Sequence, residues 1–286
     1  MKIAWSDFDR PRRRRDSFKG DFGKLGVIGG SPEKPGAGIL AAEAGARSGA
    51  GYTTLFLARS GRSLKIRPQE SSFLFRADWS MKDMKNLTAL VVGCGERPPK
   101  IFRYCEANIP MVIDASALSQ VTPAEMRDWR RMKSPAILTP HYGEAAALLK
   151  ISTARVKADP VSALQAIVEK TGQSVYLKGV PGFLMFALKG RQPNGGLRAQ
   201  PKYYVNSLAN PALATAGSGD VLAGILGGFL AQRPASFRSA VLSGLVFQAA
   251  ISESLADIEG SIASDQLELF SEAFAFLRQK KWRAKS

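Results

Sequence analysis

Short apolar runs that end in glycine or a polar residue alternate with helical stretches along the chain. Residues 24–30 form an apolar run that ends in two glycines, which is typical of a buried strand. Further strands are predicted at 52–58, 89–95, 111–115, 136–140 and 174–179, and helices at 37–51, 123–132, 143–150 and 160–171. This alternation predicts an α/β fold with a mainly parallel sheet that helices cover on both faces.

The last third of the chain follows a different pattern. Two strands, 183–190 and 201–206, flank a turn-forming segment and predict an antiparallel pair. Helices are then predicted at 219–232, 237–255 and 263–279. The whole pattern predicts a single domain over residues 18–279, preceded by a flexible basic arm at 1–17 and followed by a basic tail at 280–286.

Glycines and polar side chains follow five of the predicted strands. These residues are Gly29, Gly30 and Ser31, then Gly93 and Gly95, then Asp114, then His141 and Glu144, then Lys178 and Gly179. In open parallel sheets ligands bind outside the carboxyl ends of the strands. The sequence therefore predicts one shared cleft at this edge.

Charge and composition narrow the class of protein. The chain has 286 residues and a net charge of +16, part of which lies in the terminal runs 10–15 and 278–285. Such runs are typical of solvated tails, and contact with nucleic acid or another anionic partner is the alternative. The sequence contains no apolar run long enough to span a membrane and no secretory signal pattern. Its two cysteines, Cys94 and Cys105, suggest no disulfide scaffold, so we expect a cytoplasmic protein with no membrane partner. Cys94 itself is interpreted as a small buried residue.

Several familiar motifs are excluded. The first glycine loop contains no Gly-Lys-Ser/Thr, so it is not a P-loop, and Pro98 interrupts the pattern that a dinucleotide fingerprint requires. The single histidine, His141, rules out metal sites with several histidines. A lone histidine after a strand is often only a local hydrogen-bonding residue, but the segment 139–145 places this one at the ligand edge of the sheet.

The turn at 217–220 carries the clearest candidate chemistry. Gly217, Ser218, Gly219 and Asp220 run directly into an apolar helix, whose first amides have no intrahelical partner. One interpretation is that Asp220 only caps the helix. The other is an anion hole for a phosphate with Asp220 as a base beside it. The residues of the turn alone leave both interpretations open.

Six segments together resemble one known family. They are 19–55, 91–95, 112–118, 137–149, 175–179 and 210–232. In this order they resemble the ADP- or ATP-dependent NAD(P)H-hydrate dehydratases of the ribokinase-like superfamily. The resemblance implies a three-layer α/β/α fold and repair of hydrated NADH or NADPH, in which ADP or ATP phosphorylates the ring hydroxyl and phosphate is then eliminated. It further implies Mg²⁺ as cofactor and a homo-oligomer, a tetramer, with no nucleic-acid partner.

The resemblance also implies roles for particular residues. Asp220 would be the general base, and the amides of Gly217, Ser218 and Gly219 would form the anion hole. The hydrate would bind at Ala37, Gly95, His141 and Asp220; the nucleotide would bind at Lys178, Gly179, Val180, Pro181, Gly182 and Gly219; and Asn210 would order the anion-hole loop. No metal ligand is predicted. Ala216 stands where the family usually has glycine, and a negative φ is required for it to be tolerated.

Two other functions remain open at this stage. A ribokinase-like kinase of a small alcohol, such as a vitamin precursor, would use the same Asp220 and anion hole. An inactive scaffold that binds nucleotide or RNA through the basic termini belongs to a different class, and salt-dependent RNA binding without turnover would distinguish it.

Overall fold

A nine-stranded sheet forms the centre of the molecule. The computed structural model describes residues 1–10, 13–31, 33–57, 73–76, 80–96, 108–119, 121–187, 202–208, 210–232, 236–256 and 258–283. The strands are β1 Lys24–Gly29, β2 Tyr52–Phe56, β3 Leu74–Arg76, β4 Ala89–Cys94, β5 Met111–Ile113, β6 Ala136–Leu138, β7 Ser174–Leu177, β8 Gly182–Met185 and β9 Tyr203–Asn206. The predicted strands are confirmed, although most are shorter than the apolar runs that predicted them.

The strand order is β3-β2-β1-β4-β5-β6-β7-β8-β9. All pairs from β3 through β7 are parallel, whereas β8 pairs antiparallel with both β7 and β9. The chain therefore winds outward in one direction from β1 to β3 and in the other from β4 onwards. The border between β1 and β4 is the topological switch point at which such sheets bind ligands.

Helices cover both faces of the sheet, as predicted. They are α1 Gly36–Arg47, α2 Pro123–Arg131, α3 Tyr142–Leu149, α4 Thr153–Ala158, α5 Pro160–Thr171, α6 Ser218–Ala231, α7 Phe237–Leu255, α8 Ala263–Glu268 and α9 Phe270–Arg283. Alternate strand residues enter two separate apolar clusters. Val27 and Val91 pack with α1, α6 and α7 on one face, while Ile28 and Val92 pack with α2, α3 and α5 on the other. Two clusters separated by one sheet make a three-layer α/β/α fold.

Small residues let α1 and α6 pack closely. A Cβ added to Gly228 would lie 2.6 Å from the carbonyl oxygen of Gly45, and a Cβ on Gly224 would collide with the carbonyl oxygen of Ala41. Only glycine allows backbones to approach this closely. This contact fixes α6, and hence its N-terminus, against the helix that follows β1.

Three elements differ from the sequence predictions. β3 was not predicted, because its three residues are too few to show an alternating pattern. The short helix α4 was missed, although Ser152 caps it by accepting a hydrogen bond from Arg155 N. The predicted helix 263–279 is two helices, because α8 ends at Glu268 and α9 begins at Phe270.

The first ten residues do not form a flexible arm. Ile3 is 3% exposed, and its amide donates a hydrogen bond to Val205 O at the edge strand β9. Phe8 packs among aromatic rings that include Phe247, and the Arg10 guanidinium lies 4.2 Å from the centre of the Phe274 ring. The prediction of a flexible segment is therefore wrong for residues 1–10, because apolar side chains between the charges bury themselves against α7 and α9.

The end of the chain also continues the fold. Helix α9 extends to Arg283, past residue 280 where the basic tail was predicted to begin. In the part of the chain that the structure describes, none of the helices combines the length and apolar character needed to cross a bilayer.

Candidate active site

A buried ion pair forms the floor of the predicted cleft. Asp114 follows β5 and is 1% exposed, and Lys178 follows β7. Lys178 Nζ donates a hydrogen bond of 2.7 Å to Asp114 Oδ1, and the hydroxyl of Thr139 donates one of 2.6 Å to the same oxygen. Three neighbouring strand ends thus converge on one carboxylate. Asp114 Oδ2 is buried and has no hydrogen-bond partner.

The first turn of α6 faces this floor. Gly217, the N-cap residue, has φ of 90°, a value that glycine adopts without strain. A Cβ added to Gly219 would lie 3.2 Å from Lys178 Nζ and 3.7 Å from Asp114 Oδ2. Ala216 does not have positive φ, so alanine is tolerated at this position, where the family usually has glycine. The positive end of a helix dipole is therefore directed at the cleft.

One amide of the predicted anion hole already has an acceptor. The N–H of Ser218 donates to the carbonyl oxygen of Thr215 over 3.2 Å. The Ser218 carbonyl in turn accepts from the side chain of Gln248 on α7, which anchors the turn. The anion-hole prediction consequently depends most on the amides of Gly217 and Gly219.

Asp220 lies in the same helical turn and is only partly exposed. Burial, together with repulsion from the Asp114 carboxylate, raises its pKa from 3.8 to about 6, although the Cys94 thiol and the Lys178 ammonium partly offset the increase. A carboxylate with this pKa is ionised at neutral pH and is a stronger base than an ordinary aspartate. The burial that raises the pKa also argues against a simple surface cap.

Cys94, at the end of β4, is buried as predicted, but its neighbours were not foreseen. Its sulfur, a carboxylate oxygen of Asp114 and a carboxylate oxygen of Asp220 all lie within 4.8 Å of one another. Burial, and then the negative charges of Asp220 and Asp114, raise the pKa of the Cys94 thiol well above its usual value. The thiol is therefore protonated at neutral pH and donates towards Asp220.

His141 is the N-cap of α3. Its Nδ1 accepts hydrogen bonds from the amides of Gly143 and Glu144, at 3.0 and 3.1 Å, while the Glu144 carboxylate accepts one from His141 N. The interpretation of His141 as a local hydrogen-bonding residue is thus correct. The imidazole is exposed. It lies beside the cleft because the Lys178 amide donates to Pro140 O and pairs the two strand ends.

Two further groups of predicted residues lie around this centre. A Cβ on Gly95 would lie 2.7 Å from Ala37 Cβ, so these two residues face each other at the switch point between β1 and β4. The predicted nucleotide loop, residues 179–182, connects β7 to β8; Val180 in it is 57% exposed, and the Val180–Pro181 peptide bond is cis. Gly179 packs beside the Tyr142 ring, and Gly182 begins β8 beside the Tyr176 ring.

Asn210 lies behind the anion-hole turn. Its Oδ1 accepts from Ala212 N at 2.9 Å, and its Nδ2 donates to Ser252 O at 2.6 Å. These two bonds tie the loop before α6 to helix α7. That Asn210 orders the anion-hole loop stays a prediction.

Four polar residues of the site received no role from the sequence. They are Cys94, Asp114, Thr139 and Glu144. Their only signal was position, since each stands at or just after the end of a parallel strand. Which strand ends lie side by side depends on the strand order, and that order was not predicted.

Comparison with known proteins now identifies the family. The profile described as NAD(P)H-hydrate dehydratase matches residues 25–273. A relative from Neisseria meningitidis, an ADP-dependent (S)-NAD(P)H-hydrate dehydratase, is 35% identical over 266 residues, which cover 88% of this chain and 85% of that protein. The chain belongs to the NAD(P)H-hydrate dehydratase family.

Other matches agree with this family and define its extent. A bifunctional NAD(P)H-hydrate repair enzyme from Coxiella burnetii is 32% identical over 91% of this chain, which spans only 51% of that longer protein. The chain thus corresponds to about half of the bifunctional relatives of the dehydratase family.

Solved structures of similar fold confirm the ribokinase-like architecture. The ADP/ATP-dependent NAD(P)H-hydrate dehydratase of Bacillus subtilis, co-crystallised with ATP and Mg²⁺, superimposes with a TM-score of 0.73 at 23% identity, covering 93% of this chain and 94% of the other. A ribokinase-like superfamily protein from Enterococcus faecalis gives a TM-score of 0.72 at 19% identity, covering 98% and 95% of the two chains.

Proposed function

We propose that this protein restores hydrated NADH or NADPH to the reduced cofactor, using ADP or ATP as phosphoryl donor. Family membership supports the reaction class, and one feature of the site carries the proposal. Asp220, a base with a raised pKa, shares the first turn of α6 with the amides of Gly217 and Gly219. A base and an anion-binding helix end in one turn are the two groups that phosphoryl transfer to a hydroxyl requires.

In this mechanism Asp220 accepts the proton of the hydroxyl on the reduced nicotinamide ring. The hydroxyl oxygen then attacks the terminal phosphorus of the nucleotide, and the bond from that phosphorus to the bridging oxygen breaks. The amides of Gly217 and Gly219 stabilise the charge on the moving phosphoryl group. Loss of the phosphate together with a ring proton re-forms the double bond.

Lys178 has an indirect part in this proposal. Its ammonium is bound to Asp114, so it does not reach out as a free cation towards a phosphate. The same ammonium lies close to Gly219 and adds positive potential below the anion hole. The loop 179–182, exposed at Val180 and Pro181, remains the proposed nucleotide contact, and Ala37, Gly95 and His141 remain the proposed hydrate contacts.

The described residues of the site do not provide a set of oxygen ligands suited to Mg²⁺ alone. The two carboxylates nearest the anion hole, Asp114 and Asp220, share their space with the Cys94 sulfur, and Lys178 already occupies one oxygen of Asp114. Mg²⁺ requires octahedral oxygen coordination and generally binds through substrate phosphates and waters. The metal is therefore proposed to accompany the phosphates of the nucleotide, and none of the steps above depends on it.

Two further features stay predictions. A tetramer of identical subunits and a cytoplasmic location follow from the resemblance and from the sequence. The net charge of +16 suits a protein that binds two polyanionic nucleotides.

The test is to supply hydrated NADH and Mg²⁺ with ADP or with ATP and to follow the near-ultraviolet absorbance of the reduced ring. We expect an increase in absorbance that requires a nucleotide and releases one phosphate for each NADH formed. A flat trace with folded protein and both nucleotides would contradict the proposal. A stable phosphorylated product from a small alcohol would instead favour the kinase alternative.

A further inference from the structure

The cluster beside the proposed base contains an unusual set of donor atoms. Cys94, Asp114 and Asp220 each direct one atom into a volume in which all three atoms lie within 4.8 Å of one another. One is sulfur and two are carboxylate oxygens. Ligands around a single tetrahedral zinc lie roughly 3.5 Å apart, because Zn–S and Zn–O bonds are about 2.3 and 2.1 Å long. Side-chain movements of about 1 Å would thus bring all three into one coordination sphere.

A second observation is that one carboxylate oxygen of the cluster has no hydrogen-bond partner. Asp114 Oδ2 is buried and accepts no hydrogen bond, although the other oxygen of the same carboxylate accepts two. Buried carboxylate oxygens are almost always hydrogen-bonded, paired with a cation or bound to a metal. Lys178 and Thr139 occupy Oδ1 only. The open Oδ2 lies towards the first turn of α6, which carries Asp220, because a Cβ on Gly219 would be 3.7 Å from it.

The charges around the cluster also favour a cation. The carboxylates of Asp114 and Glu144 both raise the pKa of Asp220, and the ammonium of Lys178 opposes them. A divalent cation that displaces the proton of the Cys94 thiol into solvent would meet two carboxylates, one thiolate and one ammonium. The charges of those five groups sum to zero, and the Glu144 carboxylate nearby keeps the surroundings of the ion negative.

We propose that Cys94, Asp114 and Asp220 form a site for Zn²⁺, with water as the fourth ligand. The thiolate determines this choice, since sulfur suits zinc and suits Mg²⁺ poorly. Asp220 is the partly exposed member, so the ion reaches the cluster from the open side of the cleft. Zn²⁺ bound there occupies the carboxylate that the proposed reaction needs as a base, so the site is inhibitory. The inhibition rests on the proposed function, whereas the binding does not.

Binding is measured first, by titrating Zn²⁺ into metal-free protein against a chromophoric chelator. The wild type is expected to bind one Zn²⁺ per chain, and Cys94→Ser to bind at least about tenfold more weakly. Cys105→Ser is the matched control, because it removes the other cysteine of the chain and is expected to bind like the wild type. Equal affinity in the wild type and Cys94→Ser, or loss of binding in Cys105→Ser, would overturn the proposal.

Co²⁺ gives a readout that does not depend on enzyme activity. Replacing Zn²⁺ with Co²⁺ is expected to produce a thiolate-to-cobalt charge-transfer band in the wild type and in Cys105→Ser but not in Cys94→Ser. Thermal unfolding of all three proteins establishes that they are folded, and Asp220→Asn, which loses a different ligand, is expected to weaken binding as well. Absence of the band from the wild type would exclude Cys94 as a ligand.

The inhibitory part is tested separately. With Mg²⁺ and nucleotide in excess, Zn²⁺ is expected to stop NADH regeneration by the wild type over the same concentration range in which it binds. Cys94→Ser is expected to need at least about tenfold more Zn²⁺ for the same inhibition. Binding without any inhibition would overturn this part, and absence of all turnover before Zn²⁺ is added would count against the proposed function instead.

Discussion

Lys178 Nζ bonds to Asp114 Oδ1 across 2.7 Å, and the pair lies directly beneath the first turn of α6. Burial opposes the charge of the ammonium, but the carboxylates of Asp114 and Glu144 outweigh it and raise the pKa of Lys178. The Lys178 ammonium is paired with Asp114, so it only partly compensates the charge of Asp220. The floor of the site thereby contributes to the high pKa of the base above it.

Removal of this ammonium would leave a buried carboxylate unpaired. Lys178→Met is expected to lower the free energy of unfolding by about 3 to 5 kcal/mol, the usual cost of breaking a buried pair from one side. Lys157→Met, at an exposed position on α4, is the matched control and should change stability by less than about 0.5 kcal/mol. Urea unfolding of both variants makes the comparison, and equal losses would show that the pair is not a specific feature of the floor.

Stability should depend on pH through Asp220. Its pKa is about 6 in the folded protein against 3.8 ordinarily, so between these values the folded state binds more protons than the unfolded state. Stability therefore falls as pH rises from about 4 to 6. Asp220→Asn, which removes the charge, is expected to be more stable than the wild type by about 2 kcal/mol at pH 7.5.

The same comparison at low pH serves as the control. Below about pH 3, under both pKa values, the aspartate is neutral in both states, so the stability difference between wild type and Asp220→Asn should shrink towards zero. If the stability difference between the two proteins stays constant across this pH range, the pKa of Asp220 is not raised by folding.

Gly219 separates stability from function. It lies within the first turn of α6 without positive φ, so alanine there gains helix propensity, but its Cβ crowds Lys178 Nζ, and stability should change by less than about 1 kcal/mol in either direction. The added Cβ would lie 3.2 Å from Lys178 Nζ, in the proposed path of the phosphoryl group, and activity should fall about a hundredfold.

Gly36→Ala provides the control for this variant. Gly36 is the first residue of α1, and an added Cβ would meet nothing within 4 Å. For Gly36→Ala, steady-state kinetics should show wild-type activity, and thermal unfolding should show that the variant is folded. Wild-type activity for Gly219→Ala as well would rule out this turn as the anion hole.

His141 is predicted to have two roles that different substitutions separate. His141→Ala removes the acceptor for two amides of α3 and should cost about 1 kcal/mol of stability. His141→Asn supplies another capping acceptor and should keep most of that stability. Both variants should raise KM for the hydrate if the exposed imidazole contacts it, whereas an unchanged KM in both would restrict His141 to capping.

The order of strands and helices was largely predictable because each buried parallel strand is a short apolar run that ends in glycine or a polar residue. The two elements that were missed, β3 and α4, span three and six residues, too few for a periodic pattern. The N-terminal segment was misjudged for another reason. Its charges dominate the composition, whereas Ile3 and Phe8 determine where it packs.

The candidate site was predictable in part. Asp220 and the glycines before it stand together in the sequence, so their shared turn could be recognised. Cys94, Asp114 and Thr139 come from three different strands, and only the strand order brings them around the base. The high pKa of Asp220 depends on those neighbours and on burial, neither of which a single sequence reveals.

The central claim is that Asp220 is the base of a nucleotide-dependent dehydratase, and the rate of NADH regeneration by Asp220→Asn tests it most directly. The variant preserves the shape of the side chain and is expected to fold and to bind nucleotide, with kcat lowered by about 10² to 10⁴. A folded Asp220→Asn protein that regenerates NADH at close to the wild-type rate would contradict the claim.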